Sequence, residues 1–259
     1  MSCHNYVVIT CSDFYERHRR IFRQHSKYLD RHFNFPHFLL QHDIADSLPH
    51  ASREYQPYLW QKHLRHSLPL HVLNITTQDQ NDRLCRDQLF LDRYAHILSN
   101  IQTQKLFEAR PLSLAEHSLL HKHYCALHLC IENQRPLLII EDDAYLDQDA
   151  SLDKLVADAF STTSSAGFYN LVANFTSTPK NANLPLFRFH SKARTNTTCA
   201  YVVFPELAII LVESFFPYSL PVDFHYQYLF FKLGLAGFSA NHPIFINGSS
   251  EGLEKSSVQ

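Results

Sequence analysis

The sequence predicts an α/β protein whose sheet is mostly parallel and is covered by helices on both faces. Short, continuous apolar runs, such as residues 6–11 and 137–140, are typical of strands buried on both faces. Segments with helical spacing of apolar residues alternate with these runs, and residues 114–132 form the clearest one. The length of 259 residues fits one domain at 1–250, followed by a polar tail at 251–259.

The remaining elements follow in chain order. The first strand leads into a basic helix that is capped by Ser12 or Asp13 and extends to residue 27. Pro205 opens a later helix, and Gly234 ends the last one, which begins at Asp223. Further strands are predicted at 35–40, 70–75, 168–175 and 198–204, further helices at 82–101 and 205–216, and a loop at 43–58.

Composition excludes several functional classes. The net charge of −2 gives no long-range positive field for nucleic acid, so we expect no nucleic-acid partner. Neither a GxGxxG fingerprint nor a P-loop occurs, which removes the usual support for dinucleotide or Walker-type binding. The basic stretch 16–23 could meet phosphate or an anionic membrane surface, although a solvated helix face is the commoner outcome.

The cellular location is predicted from cysteines and hydropathy. The six cysteines form no CxxC pair, which suits a reducing compartment. The first residues lack a signal-peptide core, and no apolar run approaches the roughly 20 residues needed to span a bilayer. We therefore expect a cytoplasmic protein with at most peripheral contact with the inner membrane.

The acidic triplet Glu141-Asp142-Asp143 is the first candidate for a site. It ends a buried apolar strand, and ligands of open α/β sheets bind beyond the carboxyl ends of strands. If the extended conformation persists, Glu141 and Asp143 point to one side, where they could bind Mg²⁺ or Mn²⁺ through oxygen atoms. The alternative is an acidic loop that only solvates the strand end.

The helix before this strand carries polar residues on its apolar stripe. Glu116 and His123 share one face with Leu120 and Leu127. Polar groups in such positions are either satisfied within the core or directed into a site. Because the helix leads directly into the acidic strand end, a shared site is the interpretation that we develop.

These segments resemble glycosyltransferase family 25, which includes bacterial lipooligosaccharide and capsule galactosyltransferases. The family pattern has a Glu, seven residues later a His that usually follows a Ser, and then the strand motif I/L-L-E-D-D. Glu116 and His123 match the first part, and Lys122 stands in the position of the Ser. The block Ile140-Glu141-Asp142-Asp143 matches the strand motif.

Other blocks follow in the order of the family. The first strand with Thr10, followed by Arg17 and Arg20, is similar to the opening strand and arginine-containing helix of the family. Residues 198–203 resemble its G-T-x-A-Y strand without the glycine, and Pro221-Val222-Asp223 resembles its Pro-[Ile/Val]-Asp turn.

The resemblance implies a GT-A-like, Rossmann-type fold that transfers a sugar, galactose among the candidates, with inversion. The donor is then a nucleotide-sugar, expected to be a UDP-sugar, and the acceptor is an oligosaccharide or lipid-linked saccharide of bacterial surface-polysaccharide biosynthesis. Asp143 and Asp142 would hold a divalent metal, Mn²⁺ or Mg²⁺, and Asp223 would be the general base unless it only caps its helix. The implied donor-binding residues are Thr10, Arg17, Glu116, Lys122, His123, Glu141 and Asp142.

Two other functions stay open on the sequence. The missing glycine before Thr198 and the missing Ser beside His123 would suit a non-catalytic binding module of the same fold. A metal-dependent hydrolase built on acidic and histidine ligands is the third hypothesis. Eighteen histidines make the i, i+4 pair His117–His121 uninformative about zinc, and His242 is a weak metal candidate. Tyr58 and Trp60 could stack on a sugar or lie in the core.

Overall fold

The computed structural model describes ten parts of the chain, which together contain every predicted site residue. They are residues 4–10, 14–39, 114–147, 152–160, 167–172, 185–191, 193, 195, 197–215 and 221–253. The strand predicted at 70–75, the helix at 82–101, the loop at 43–58 and the pair Tyr58 and Trp60 lie outside these residues.

Within them the chain forms nine strands and five helices, and two of the helices continue as a short segment of wider π-helix. In order these are β1 (Asn5–Ile9), α1 (Tyr15–Gln24) with the π segment His25–Leu29, β2 (His37–Leu39), α2 (Leu114–Asn133), β3 (Leu137–Glu141), β4 (Ala144–Leu146), α3 (Leu152–Leu155) with the π segment Val156–Phe160, β5 (Phe168–Asn170), β6 (Phe187–His190), β7 (Ala200–Val203), α4 (Pro205–Ser214), α5 (Val222–Leu233), β8 (Gly237–Ala240) and β9 (Phe245–Asn247).

Seven strands form one sheet in the order β2-β1-β3-β7-β5-β8-β6, and β4 pairs with β9 in a separate antiparallel ribbon. Strand β1 runs parallel to both β2 and β3, and β5 runs parallel to β8. Strand β7 is antiparallel to both of its neighbours, β3 and β5, and β6 is antiparallel to β8. The Rossmann-like α/β class predicted from the sequence is confirmed, with a sheet of mixed direction.

The strand order creates a switch point at β1. From this strand the chain moves outward to β2 on one side and returns to β3 on the other. The carboxyl ends of β1 and β3 are level with each other, because Ile9 pairs with Glu141 in the register. Diverging connections leave a crevice at such a point, and ligands of α/β sheets bind there.

Helices cover both faces, as predicted. Alternate residues of β1 and β3, including Val7 and Ile139, face a core formed with α2, α4 and α5. The intervening residues, including Val8 and Ile140, face a second core formed with α1 and α3. A strand that contributes every residue to one core or the other explains the continuous apolar runs in the sequence.

Several predicted boundaries hold and others shift. Pro205 begins α4, and Gly234 ends α5 with φ 64°, a left-handed conformation that glycine adopts without steric cost. Helix α1 begins after Phe14, which serves as its N-cap, rather than at Ser12 or Asp13, both of which lie outside the described residues. Four short strands, β4, β6, β8 and β9, were not predicted from the sequence.

Among the described residues, no helix is long and apolar enough to cross a membrane.

Candidate active site at the carboxyl ends of β1 and β3

The candidate site is formed by four elements that meet at the switch point. Strand β3 ends at Glu141, and Thr10 follows the last residue of β1. Because β7 is antiparallel to β3, its amino end lies beside the carboxyl end of β3, and the Glu141 amide donates to the Cys199 carbonyl across 2.8 Å. The first turn of α5 brings Asp223 to the same place.

The acidic triplet is divided between a strand and a turn. Glu141 is the last residue of β3, whereas Asp142 and Asp143 form the turn that leads into β4. The backbone of Gly248 closes this turn by donating to the Asp143 carbonyl across 2.9 Å. A Cβ atom at position 248 would lie 2.7 Å from that carbonyl oxygen, so the close approach requires glycine.

Asp142 is held by a buried ion pair. Nη1 of Arg17 lies 2.6 Å from its Oδ1, and the Thr10 hydroxyl donates to its Oδ2 across 2.6 Å. Arg20 donates to its backbone carbonyl. Burial raises the pKa of Asp142, while the hydrogen bond from Thr10 and the charge of Arg17 lower it. The structure therefore brings together three of the predicted donor-binding residues.

Thr10 is also the contact of the buried Lys122. Nζ of Lys122 donates to the Thr10 carbonyl across 2.7 Å, and His18 Nε2 lies 2.7 Å from the Thr10 hydroxyl. The lysine that replaces the serine of the family pattern therefore has a structural partner on the neighbouring strand. Its ammonium group and Arg17 place two positive charges near the end of β1.

His123 lies in a buried chain of polar side chains. Its Nδ1 is 2.9 Å from the Tyr201 hydroxyl, and its Nε2 is 3.3 Å from Oε1 of Glu141. The hydroxyl of Tyr226 continues the chain, 3.0 Å from that of Tyr201. Burial lowers the pKa of His123 to about 3, so the ring is neutral and carries one N–H. The ring thus connects the core to the Glu141 carboxyl group.

Glu116 is buried in the first turn of α2, two turns before His123. Both polar residues of the predicted stripe are therefore buried, and His123 reaches the acidic strand end.

Asp223 shares the Thr198 hydroxyl with Glu141. Oδ1 of Asp223 accepts the backbone N–H of Thr198 across 2.6 Å and lies 2.8 Å from its Oγ1. The same Oγ1 lies 2.9 Å from Oε1 of Glu141. Burial, followed by the charge of Glu141, raises the pKa of Asp223 to about 7. Burial, followed by the charge of Asp143, raises the pKa of Glu141 to about 8.

The interpretation of Asp223 as a helix cap is wrong. The N-cap of α5 is Pro221, and Asp223 is the second residue of the helix, where its Oδ1 accepts hydrogen bonds from Thr198. Its carboxyl group is instead bound to Thr198, which lies two residues before β7.

The Asp143 carboxyl group is contacted by a residue that follows β9 and by one that precedes β7. The Ser249 hydroxyl donates to its Oδ2, and Sγ of Cys199 lies 3.8 Å from its Oδ1. In the part of the chain that the structure describes, which includes His242, no three or more His, Cys, Asp or Glu side chains are grouped to hold a metal ion.

Three contacts of the site were not predicted from the sequence. Thr198 and Tyr201 belong to a strand that the sequence identified without giving either residue a role. In the sequence, both carry a hydroxyl group in an otherwise apolar run, Thr198 at its start and Tyr201 within it. Ser249 carries no such signal, since it lies in a polar stretch after β9.

The fold and the site define an α/β protein with converging, partly buried carboxyl groups at the switch point of its sheet. A model of glycosyltransferase family 25 (LPS biosynthesis protein) matches residues 61–226, more than half of the chain. The protein therefore belongs to glycosyltransferase family 25, which confirms the resemblance seen in its motifs and indicates a glycosyltransferase of lipopolysaccharide biosynthesis. No curated protein matches the chain. The matched range includes Asp223 and the acidic triplet but not Thr10 or Arg17.

Proposed function

We propose that the protein transfers a hexose from a UDP-sugar to a saccharide acceptor of bacterial surface-polysaccharide biosynthesis, with inversion at the anomeric carbon. The observation that carries the proposal is the Asp223 carboxyl group, which lies beside Glu141 at the switch point in a member of a glycosyltransferase family. Inverting transfer requires one general base and a site that stabilises the departing diphosphate.

Asp223 is the proposed base. Its Oδ1 is occupied by Thr198, whereas Oδ2 accepts no hydrogen bond from any described residue. A pKa of about 7 suits a base that must take a proton near neutral pH. In the proposed step, the acceptor hydroxyl gives its proton to Asp223 while its oxygen bonds to the anomeric carbon. The bond from that carbon to the diphosphate oxygen breaks, and the nucleoside diphosphate leaves with the electron pair.

The end of β1 is the proposed nucleotide side of the site. The positive charges of Arg17 and Lys122 flank Thr10, where they favour a polyanionic ligand. Asp142 keeps Arg17 in place through the buried ion pair. Glu116 and His123 belong to the same proposed donor site through helix α2.

The residues of the acidic turn fit a divalent metal that is held partly by the donor. Mg²⁺ is usually bound through one or two carboxylates together with substrate phosphates, so one or two acidic side chains are enough. Asp142 is held by a buried ion pair with Arg17 and by the Thr10 hydroxyl, whereas, among the described residues, the Asp143 carboxyl group is contacted only by the Ser249 hydroxyl and, at 3.8 Å, by the weak thiol donor of Cys199. This difference favours Asp143 as the direct ligand. When bound, Mn²⁺ or Mg²⁺ would neutralise charge that develops on the departing diphosphate.

The proposal is tested by incubating the protein with a panel of nucleotide-sugars, Mn²⁺ and saccharide acceptors. We expect one UDP-hexose to be consumed with formation of a glycoside whose anomeric configuration, determined by NMR, is opposite to that of the donor. Retention of configuration would contradict the proposed role of Asp223. Binding of UDP-sugars without turnover, by wild type as well as by Asp223→Asn, would favour the non-catalytic binding module instead.

A further inference from the structure

Thr198 connects two carboxyl groups that come from distant parts of the chain. Glu141 ends β3, Asp223 lies in the first turn of α5, and Oγ1 of Thr198 is 2.9 Å from the first and 2.8 Å from the second. Its side chain is fully buried, with 0% exposure. The Thr198 hydroxyl is therefore shielded from bulk solvent, while the two carboxyl groups that it contacts are partly exposed.

The two carboxyl groups are attached to Thr198 differently. The backbone N–H of Thr198 donates only to Asp223, across 2.6 Å. The hydroxyl has a single hydrogen, so it donates to Asp223 or to Glu141 at any one time. Asp223 keeps the hydrogen bond from the backbone N–H in either case, whereas an ionised Glu141 loses its bond to Thr198 when the hydroxyl turns to Asp223.

The position of the Thr198 hydroxyl is fixed by its surroundings. The branched Cβ restricts χ1. The backbone that follows pairs with β3, since the Glu141 amide donates to the Cys199 carbonyl across 2.8 Å. A rigid donor at this point sets where both carboxyl groups lie.

We propose that Thr198 is a positioning residue for sugar transfer. Its hydrogen bonds to Oδ1 of Asp223 orient this carboxyl group so that Oδ2 is left for the acceptor, and its hydroxyl holds the Glu141 carboxyl group beside that base. The inference rests on the proposed function, because it assigns Thr198 to the base of that reaction. The family match alone assigns no role to Thr198.

The kinetic test compares Thr198→Val with Thr198→Ser. Valine keeps the shape and the backbone N–H but removes the hydroxyl, whereas serine keeps the hydroxyl. We expect Thr198→Val to lower kcat by about 10- to 100-fold, since small misplacements of reacting groups have effects of this size. The KM for the donor should change by less than about 3-fold, because Thr198 binds Glu141 and Asp223 rather than Thr10, Arg17 or Lys122 at the proposed nucleotide side. Thr198→Ser should keep most of the wild-type kcat.

Thr197→Val is the matched control for damage to the strand. It removes a buried hydroxyl from the adjacent residue, which binds Asn247 and the Cys199 amide but neither carboxyl group. We expect a lower Tm with little change in kcat. Equal kcat values for Thr198→Val and wild type, or a Thr198→Ser variant as slow as Thr198→Val, would overturn the proposal. If Thr198→Val does not fold, Thr198→Cys provides a weaker donor of similar size.

A second measurement does not depend on activity. Crystal structures of wild type and Thr198→Val should show the Asp223 carboxyl group rotated and the Glu141 carboxyl group displaced in the variant. Unchanged positions of both groups would overturn the positioning role. Absence of transfer by wild type with every donor would instead overturn the proposed function, and the crystal structures would still decide the role of Thr198.

Discussion

Nη1 of Arg17 on helix α1 lies 2.6 Å from Oδ1 of Asp142 in the turn after β3, and both side chains are 8% exposed. The two residues are 125 positions apart in the chain, and their contact closes one side of the candidate site. Buried ion pairs of this kind are costly to break because the remaining charge stays in a poorly solvated place.

Removal of one member of this pair should strongly destabilise the fold. We expect Arg17→Met to lower the free energy of unfolding by about 3–5 kcal/mol, because it leaves the Asp142 carboxylate buried without its guanidinium. The double variant Arg17→Met/Asp142→Leu should lose less free energy of unfolding than the two single variants lose in sum. Urea unfolding of the four proteins in a double-mutant cycle measures the coupling.

An exposed ion pair on the same helix provides the control. Nη1 of Arg19 lies 3.2 Å from Glu16, and the two side chains are 48% and 77% exposed. Arg19→Met should change stability by less than about 1 kcal/mol, as is usual for exposed pairs. Similar losses for Arg17→Met and Arg19→Met would contradict the structural importance of the buried pair.

Replacement of the proposed base should abolish most transfer and preserve the fold. Asp223→Asn keeps an oxygen that can accept from Thr198 but cannot take a proton from the acceptor. We expect kcat to fall by about 10²- to 10⁴-fold, the usual contribution of a general base. The assay is initial-rate transfer from the donor identified in the nucleotide-sugar panel, accompanied by thermal unfolding.

Asp153→Asn is the control for loss of a carboxylate elsewhere. Asp153 lies on α3, is 68% exposed and contacts His32 across 2.9 Å. It should retain wild-type kcat. A transfer rate for Asp223→Asn within about 5-fold of wild type would exclude Asp223 as the base.

The pH dependence of transfer should reflect the raised pKa of Asp223. A base acts in its deprotonated form, so kcat/KM should rise with pH through about 7. The neighbouring charge of Glu141 is the second cause of this raised pKa, after burial. Glu141→Gln removes that charge and should move the midpoint of the residual activity to lower pH. A profile already flat from pH 5 upwards would show that no group with this raised pKa limits the rate.

Stability should fall as pH rises from 6.5 to 8. The pKa values of Asp223 and Glu141 are raised to about 7 and about 8, so the folded protein binds these protons more tightly than the unfolded chain does. The stability linked to them is present below the ordinary carboxyl pKa and is lost as pH rises through the raised values. His123 acts in the opposite sense, since its pKa is lowered to about 3 and its contribution is lost as pH falls below 6.5.

Urea unfolding at several pH values from 6.5 to 8 isolates the two carboxyl groups from His123. Wild type should unfold at progressively lower urea concentration over this range. The double variant Asp223→Asn/Glu141→Gln should show a smaller dependence on pH. An equal slope in both proteins would indicate that other groups cause the change.

Metal binding should depend on the donor. Because Mg²⁺ and similar cations are usually held by one or two carboxylates together with substrate phosphates, Mn²⁺ should bind weakly alone and more tightly with UDP, whose diphosphate supplies further oxygens. Asp143→Asn should remove most of the additional thermal stabilisation that Mn²⁺ gives in the presence of UDP. Tight Mn²⁺ binding without nucleotide, or stabilisation unaffected by Asp143→Asn, would contradict the proposed ligand.

Ser249→Ala is the matched variant at this position. The Ser249 hydroxyl donates to Oδ2 of Asp143, so its removal frees that oxygen. We expect Mn²⁺ to bind at least as tightly as in wild type when UDP is present. Calorimetric titration of Mn²⁺, with and without UDP, measures the Mn²⁺ affinity of wild type, Asp143→Asn and Ser249→Ala.

The sequence by itself determined the α/β class, the two buried strands β1 and β3, and the presence of polar residues on the buried stripe of α2. These features follow from the spacing of apolar residues along the chain, which can be recognised without knowledge of tertiary contacts. The family was also recognisable, because its motifs keep their order and their local residue types. Asp142 and Arg17 could be nominated in this way, although the motifs did not show that the two are ion-paired.

The tertiary structure alone decided which of these residues meet. Thr198 lies between Glu141 and Asp223 because β7 is antiparallel to β3, which places the start of one strand beside the end of the other. In an all-parallel sheet the start of β7 would lie beside the amino end of β3, at the opposite end of the strands. Strand direction depends on long-range pairing, which has no local period. For the same reason the sequence left two roles open for Asp223, a general base or only a helix cap, whereas the fold binds its carboxyl group to Thr198, 25 residues earlier in the chain.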